Sequence, residues 1–336
     1  RMNDHLAVIM RQSGFAIQFQ EMSPSAAMAS ALCRAASRRA ERSAPTREDS
    51  RVGRRVVELL RVTGALRTLR AATPADEQVP IDRVIGGITP RCARKALQFY
   101  RRFVRGACVT TTAKAAEMTK LSENAFRDVN IAFANELSLV AETMGVDVWE
   151  VIRLANRHPR VNILSPGPGV GGHCIAVDPW FLVSAAPEQT PLIRTAREVN
   201  DGKVEHVIAQ AAAMIEASPR ARVACLGLAF KANIDDFRES PALKVALALA
   251  RRFGERVSIV EPYAAALPAV FAGSGATLID IDHAIETCDT FVTLVDHDIF
   301  KSIPLDERAG KQVYDTRGIW PDQPRPSAGE PLRLAS

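Results

Sequence analysis

Hydrophobic and polar positions along this 336-residue chain change their rhythm twice. In residues 1–80 the stretch from Arg51 to Leu69 is compatible with a helix, and residues 71–80 (AATPADEQVP) read as a loop. No run of strand, glycine turn and helix stands out there. From Ile81 the texture sharpens. Val84 to Gly87 predicts a short strand ending in a glycine turn. Thr89 as N-cap and Pro90 at the first helical position predict a helix after it. Val104 to Thr110 predicts another strand. From Lys114 to Met144, Met118, Leu121, Ala125, Val129, Ala132, Leu137 and Leu139 recur at helical spacing and predict one long helix. Val148 to Asn156 continues the pattern after a turn at Gly145, and a further helix is expected from Pro191 to about Glu216. A loop rich in Pro and Gly, SPGPGVGGHC (165–174), lies between them.

The second change comes at Ala221. Val223 to Leu228, Val257 to Val260, Thr290 to Val295 and Gln312 to Tyr314 are apolar, β-branched strand candidates. Helical patterns such as Ala242 to Phe253 separate them. That alternation predicts a parallel α/β domain with helices on both faces. The expected order is a helical central domain (114–216), an α/β domain (221–325) and a polar, Pro-rich tail (326–336).

Composition adds one informative asymmetry. The chain is 47% hydrophobic and 24% charged, as an ordinary globular protein is, and no apolar run approaches a membrane span. The first ten residues lack the apolar core of a secretory signal. Cysteines 33, 92, 108, 174, 225 and 288 form no CxxC pair, so they read as reduced thiols of a cytoplasmic protein, with no metal site expected. Residues 1–80 hold 13 Arg, no Lys and 8 acids, whereas 81–336 balance at 30 of each sign. A basic arm raises nucleic-acid binding. The arginines are scattered among Ala, Ser and Val, with no aromatic between positions 20 and 98, so no nucleic-acid partner is expected.

The chemistry concentrates at Cys174. It follows six residues, four of them glycine (GPGVGG, 167–172), which leave little side chain to hide it and let backbone approach a ligand closely. A thiol is a nucleophile only as thiolate, which needs cationic or dipolar help. Lys120 is a candidate for that charge, and for steadying a developing oxyanion. Asp178, four residues on, is a candidate for orienting water. The alternative is a small core residue in a tight loop. Lys120, Asn124, Arg127 and Asn130 or Asn135 form a polar stripe on the long helix. Asn is a poor helix former, so the stripe reads as ligand-facing rather than merely solvated.

Three runs then carry a resemblance: AEMTKLSENAFRDVNIAFANEL (116–137), PGVGGHCIAVDP (168–179) and GLAFKANIDDFRESP (227–241). Together they resemble the UDP-glucose/GDP-mannose dehydrogenase family. LANRHPRVNIL (154–164) and His173 are most similar to its branch acting on UDP-N-acetylmannosamine. The match runs from about Ile81 to Trp320. The resemblance implies NAD as cofactor and a primary alcohol oxidised twice. The C6 aldehyde is caught by Cys174 as a thiohemiacetal, becomes a thioester and is hydrolysed to the uronate, a precursor of surface polysaccharide. Lys120, Asp178 and Asn124 match the family's catalytic positions. Arg127, His158, Arg160, Gly171 and Arg317 match substrate positions, and Phe230 and Lys231 match the UDP-binding loop. Arg238 matches a residue that reaches NAD. The long helix matches the family's dimer-forming element, so a homodimer is implied.

The sequence departs from the family at its start. The family opens with a full dinucleotide-binding domain whose G-x-G-x-x-G turn places pyrophosphate on a helix N-terminus. Residues 1–80 contain only Gly14, Gly53 and Gly64, so no such turn is present. An incomplete N-terminal domain is therefore expected, with residues 81–113 its recognisable end. A truncated gene, or a shifted reading frame upstream of Ile81, is the expected cause.

Overall fold

The computed structural model describes residues 82–172 and 174–321, and the backbone of Phe15–Ala16. The helix-compatible stretch 51–69, the loop 71–80, His173 and the tail 326–336 lie outside the described residues. The chain clusters into two compact units, Arg1–Lys120 and Leu121–Ser336.

In the first unit, β2 (Arg83–Gly87) and β3 (Cys108–Thr112) pair in parallel, with Ile85 opposite Thr110. A two-residue strand, β1 (Phe15–Ala16), pairs antiparallel with β2. Helix α1 (Pro90–Tyr100) makes the crossover. Its start is the one expected: Pro90 stands at the first position, and the Thr89 hydroxyl accepts from the Cys92 N–H. The second strand begins at Cys108 rather than Val104, because Phe103 and Val104 close the end of α1 onto the Tyr100 carbonyl.

Helix α2 (Ala113–Met144) runs from the first unit into the second. Helix α3 (Val148–Ala155) follows, capped by Asp147, which accepts from the Trp149 N–H at 2.9 Å. After the glycine loop comes α4 (Asp178–Ala185), which the hydrophobic pattern did not announce, and then α5 (Pro191–Ala217).

The rest of the second unit is a five-stranded parallel sheet in the order β6-β5-β4-β7-β8. The strands are β4 (Val223–Leu226), β5 (Val257–Val260), β6 (Thr277–Leu278), β7 (Thr290–Thr293) and β8 (Gln312–Asp315). Every residue of β4, β5 and β7 is buried, as near-continuous apolar runs require when both faces are covered. Strand alternation divides the core in two. Val223, Cys225 and Val292 pack with α5 and α6 (Pro241–Phe253). Ala224, Leu226 and Phe291 pack on the other face with α7 (Ile281–Thr287), Phe300 and Trp320. This is the doubly wound arrangement the alternation predicted.

Candidate functional site

The strand order places a topological switch between β4 and β7, whose following loops leave in opposite directions. Ligands of doubly wound sheets bind in the crevice at that point. A small, shallow cleft opens there, lined by Ala229 and Phe230 after β4, by Leu294 to Asp296 after β7, and by Arg317. Two features keep it narrow at its base. Gly227 leaves β4 with φ +95°, and a Cβ there would overlap Val295. Arg317 is held across the cleft by Asp296, with Nη2 at 2.8 Å from Oδ1.

The glycine loop seats on the same region. A Cβ on Gly171 would lie 2.6 Å from Pro241 Cδ, 2.8 Å from the Glu239 carbonyl and 2.9 Å from Phe230 Cβ. Only glycine allows that approach. Pro168 and Gly169 line the cleft directly, and the Arg317 guanidinium packs on Gly167. The loop is pinned from behind by Asn135, whose Oδ1 accepts from the Gly167 N–H at 2.9 Å.

Cys174, at the loop's end, is half-buried. Its carbonyl accepts from the N–H groups of Val177 and Asp178, a turn that opens α4. Asp178 is therefore the first residue of that helix, where the dipole favours negative charge. Its Oδ2 accepts from Asn124 Nδ2 at 2.5 Å, and Asn124 is buried on α2. Arg238 is exposed and gripped by Asp236, with Nε at 2.9 Å from Oδ1. That hydrogen bond, first, and the charges of Asp236 and Cys174 hold the guanidinium protonated above its ordinary range, against some desolvation. Arg238 thus stands within electrostatic reach of the Cys174 thiol.

Beside the cleft lies a buried pair that the sequence did not reveal. Glu261 follows β5 and His297 follows β7, and both side chains are fully buried. Glu261 Oε2 accepts from the N–H of Leu228 at 2.6 Å, from that of Ala229 at 3.2 Å, and contacts His297 Nε2 at 3.4 Å. Burial pushes this carboxyl up, but the bonds from His297, Leu228 and Tyr263 outweigh it and hold it below the ordinary range. Main-chain N–H groups after the first strand of such a sheet commonly meet a phosphate. Here a side-chain carboxylate takes them.

A third polar group lies between α2 and α5. Asp128, fully buried, meets Arg197 Nη1 at 2.6 Å and Asn200 Nδ2 at 2.8 Å. Asn200 Oδ1 accepts from Asn135 at 2.9 Å, which carries the network to the glycine loop. Asn135, read as ligand-facing, is instead interior and serves the loop. Asn130 turns back onto the Phe126 carbonyl at 2.7 Å.

The structure brings Gly171, Phe230 and Arg317 together at the cleft, and joins Asn124 to Asp178. Lys120 is half-buried on α2, and Lys231 is exposed in the loop after β4. Arg127 is exposed on α2; His158 and Arg160 are exposed after α3, and these three line no part of the cleft. Asp296, Glu261 and His297 went unread. Their only signal was position, immediately beyond the carboxyl ends of apolar strands. Among the described residues, no three His, Cys, Asp or Glu side chains gather where they could hold a metal ion, and no helix is long and apolar enough to cross a membrane.

This switch-point crevice, with a thiol loop seated on its rim, is that of a doubly wound α/β protein of nucleotide-binding type. Comparison with known proteins narrows the class. Residues 114–202 match the central domain of the UDP-glucose/GDP-mannose dehydrogenase family, and residues 224–322 match its UDP binding domain. A UDP-N-acetyl-D-mannosamine dehydrogenase of Salmonella typhi is 54% identical over 252 residues, 73% of this chain and 60% of that protein. An NDP-N-acetyl-D-galactosaminuronic acid dehydrogenase of Ralstonia solanacearum is 53% identical over 244 residues, 73% of this chain and 57% of that protein. Among solved structures, the UDP-D-ManNAc dehydrogenase of Pyrococcus horikoshii aligns with a TM-score of 0.63 at 38% identity, covering 74% of this chain and 58% of that one. The two domain matches together cover more than half of the chain, which belongs to the UDP-glucose/GDP-mannose dehydrogenase family. It spans 57–60% of the length of the curated relatives named here.

Proposed function

We propose that this chain carries the substrate-holding and thiol half of a cytoplasmic, NAD-dependent dehydrogenase. The reaction is oxidation of UDP-N-acetyl-D-mannosamine at C6 to the uronate, for surface polysaccharide. The observation that carries this reading is the seat of Gly171 on Phe230 and Pro241, which ties the Cys174 loop to the nucleotide crevice. UDP lies in the crevice against Phe230 and Lys231. Arg317, Arg127, His158 and Arg160 meet the remainder of the substrate. The sugar's C6 then reaches the loop that ends at Cys174.

The residues' own chemistry follows. The Cys174 thiolate adds to the C6 aldehyde; the carbonyl electron pair moves to oxygen, and Lys120 stabilises that oxyanion and supplies its proton. At the thioester stage, Asn124 and Asp178 hold water. The water oxygen bonds to the carbonyl carbon, the carbon–sulfur bond breaks, sulfur leaves as thiolate, and Asp178 takes the proton.

The cofactor does not fit the described residues as a whole. Arg238 is exposed beside the loop, but β2 runs through Gly86-Gly87 into the Thr89 cap of α1, and no G-x-G-x-x-G turn stands there or in residues 1–80; the string of that spacing at 167–172 is the thiol loop, which follows α3 and not a strand. No hydride step is assigned to these residues. That same observation favours a second reading, a catalytically silent protein that retains UDP-sugar affinity. Homodimerisation belongs to the proposal too: Phe126, Phe133 and Val140, seven residues apart on α2, are 72%, 54% and 46% exposed.

The test is NADH formation by the purified chain with UDP-N-acetylmannosamine and NAD. About two NADH per sugar, lost in Cys174→Ala, would establish a complete site with residues beyond those described supplying the cofactor's seat. UDP binding without any NADH establishes the silent binder instead.

A further inference from the structure

We infer that His297 and Glu261 are positioning residues for the nucleotide: they lock the loop from Leu228 to Asn233 in the one shape that presents Phe230 and Lys231 to it. This rests on the reading of the crevice as the UDP site. The loop is fastened at both ends. At its start, Glu261 Oε2 holds the Leu228 and Ala229 N–H groups, while Oε1 accepts from the Tyr263 N–H at 3.1 Å. At its end, the Asn233 N–H donates to His297 Nδ1 at 2.9 Å. A backbone N–H can only donate, so Nδ1 carries no proton and the ring proton sits on Nε2, facing Glu261. The imidazole is therefore a neutral strut between the two ends.

Asn233 needs such a fastening. It is one of two non-glycine residues among those described with positive φ, at 61°. Its side chain is engaged as well: Nδ2 donates to Asp298 Oδ2 at 2.7 Å, and Oδ1 accepts from the Asp298 N–H at 3.1 Å and the Tyr263 hydroxyl at 3.3 Å. Lys231 and Phe230 lie between the two anchors. Because the Glu261 carboxylate already takes the amides of the turn, a diphosphate placed here must be met by side chains. Their position is then set by the loop's shape. Nothing in the proposed chemistry uses either buried group, so this is the role left to them.

The experiment is calorimetric binding of UDP to the whole chain. Asparagine places its side-chain oxygen close to where Nδ1 stood; glutamine reaches toward Nε2 and leaves the Asn233 N–H without its acceptor. His297→Gln is expected to weaken UDP about tenfold, the worth of one buried hydrogen bond, and His297→Asn less than about threefold. Equal losses, or the larger loss in His297→Asn, overturn the inference. Should the buried variants fail to fold, hydrogen exchange of the wild-type chain tests it at the same bonds. The N–H groups of Leu228, Ala229 and Asn233, held by Glu261 and His297, are expected to be protected and to exchange severalfold more slowly still with UDP bound. Exchange at the unprotected rate, or rates that UDP leaves unchanged, overturns the inference. A wild-type chain that gives no heat with UDP overturns the reading of the crevice itself.

Discussion

The helical part of the second unit and its α/β part hold themselves together in opposite ways. Between α2 and α5 the interior is polar and includes Asp128, Arg197, Asn200, Asn135 and Lys203. In the sheet the interior is Val, Ile, Leu, Ala and Phe on both faces. The apolar layers need only fill space, and their stabilisation scales with the area removed from water. The polar layer does something else: every bond has a direction, and the chain of bonds ends at the Gly167 N–H of the thiol loop. Burial pushes the Asp128 carboxyl above its ordinary range even with Arg197 and Asn200 beside it. Such a pair is expensive to bury and adds little net stability, so its use lies in fixing geometry.

The contrast can be broken most sharply at Asp128. Asp128→Ala leaves the buried Arg197 guanidinium with the exposed Asp201 as its remaining ion-pair partner and is expected to cost about 3 kcal/mol by urea denaturation. Adding Arg197→Met should restore more than half of that. In the sheet, Phe291→Ala should cost a similar ~3–5 kcal/mol, with no second deletion to restore it. If the double variant is no better than Asp128→Ala alone, the network is holding the fold and not merely the loop.

Lys203 gives a pH signature. Burial lowers its pKa from 10.5 to about 8, with Glu142 opposing the shift, and its Nζ donates to Ser138 at 2.8 Å. Below pH 8 the amine is charged in both folded and unfolded chains, and the full cost of burying it is present, on the order of 3 kcal/mol. Between pH 8 and 10.5 the folded chain binds fewer protons than the unfolded one, so stability rises with pH. Lys203→Met should remove this rise: its advantage over wild type in thermal denaturation is largest at pH 7 and shrinks toward pH 10.5. A pH-independent difference would sink the assignment.

The smallest effect on stability is the most specific. Asn135→Ala is expected to cost about 1–3 kcal/mol, because it leaves the Gly167 N–H unpaired. It should also speed iodoacetamide alkylation of Cys174, read by peptide mass spectrometry, at least severalfold. A core truncation of equal measured cost, such as Val245→Ala, should leave that rate unchanged. Equal rates in the two variants would mean that the polar network does not position the loop.

Sequence legibility follows the same division. The apolar strands announced themselves because burial on both faces demands uninterrupted β-branched runs; Val257 to Val260 was read to the residue. Local caps were equally plain: Thr89-Pro90 starts α1 as read, since a cap involves only neighbours along the chain. The short helix α4 was not, because the apolar residues between its Asp178 and Ser184 run without interruption and carry no period. The Asn residues of α2 were misread in part. Asn135 looked ligand-facing by composition, whereas its partners Asn200 and Gly167 are 65 and 32 residues away.

What the sequence determined by itself is what short-range rules govern. Periodicity decided where the strands and long helices lie, the three motifs decided the family, and the crowd of glycines before Cys174 marked the loop that matters. Only the tertiary structure decided which polar groups meet. It placed Glu261 on the amides of the β4 turn, His297 under Asn233, and Asp296 across from Arg317. Each of those pairings joins residues 21 to 64 positions apart. A hydrogen bond between such residues leaves no period and no local propensity in the chain; it exists only once the parallel sheet has brought the carboxyl ends of its strands side by side.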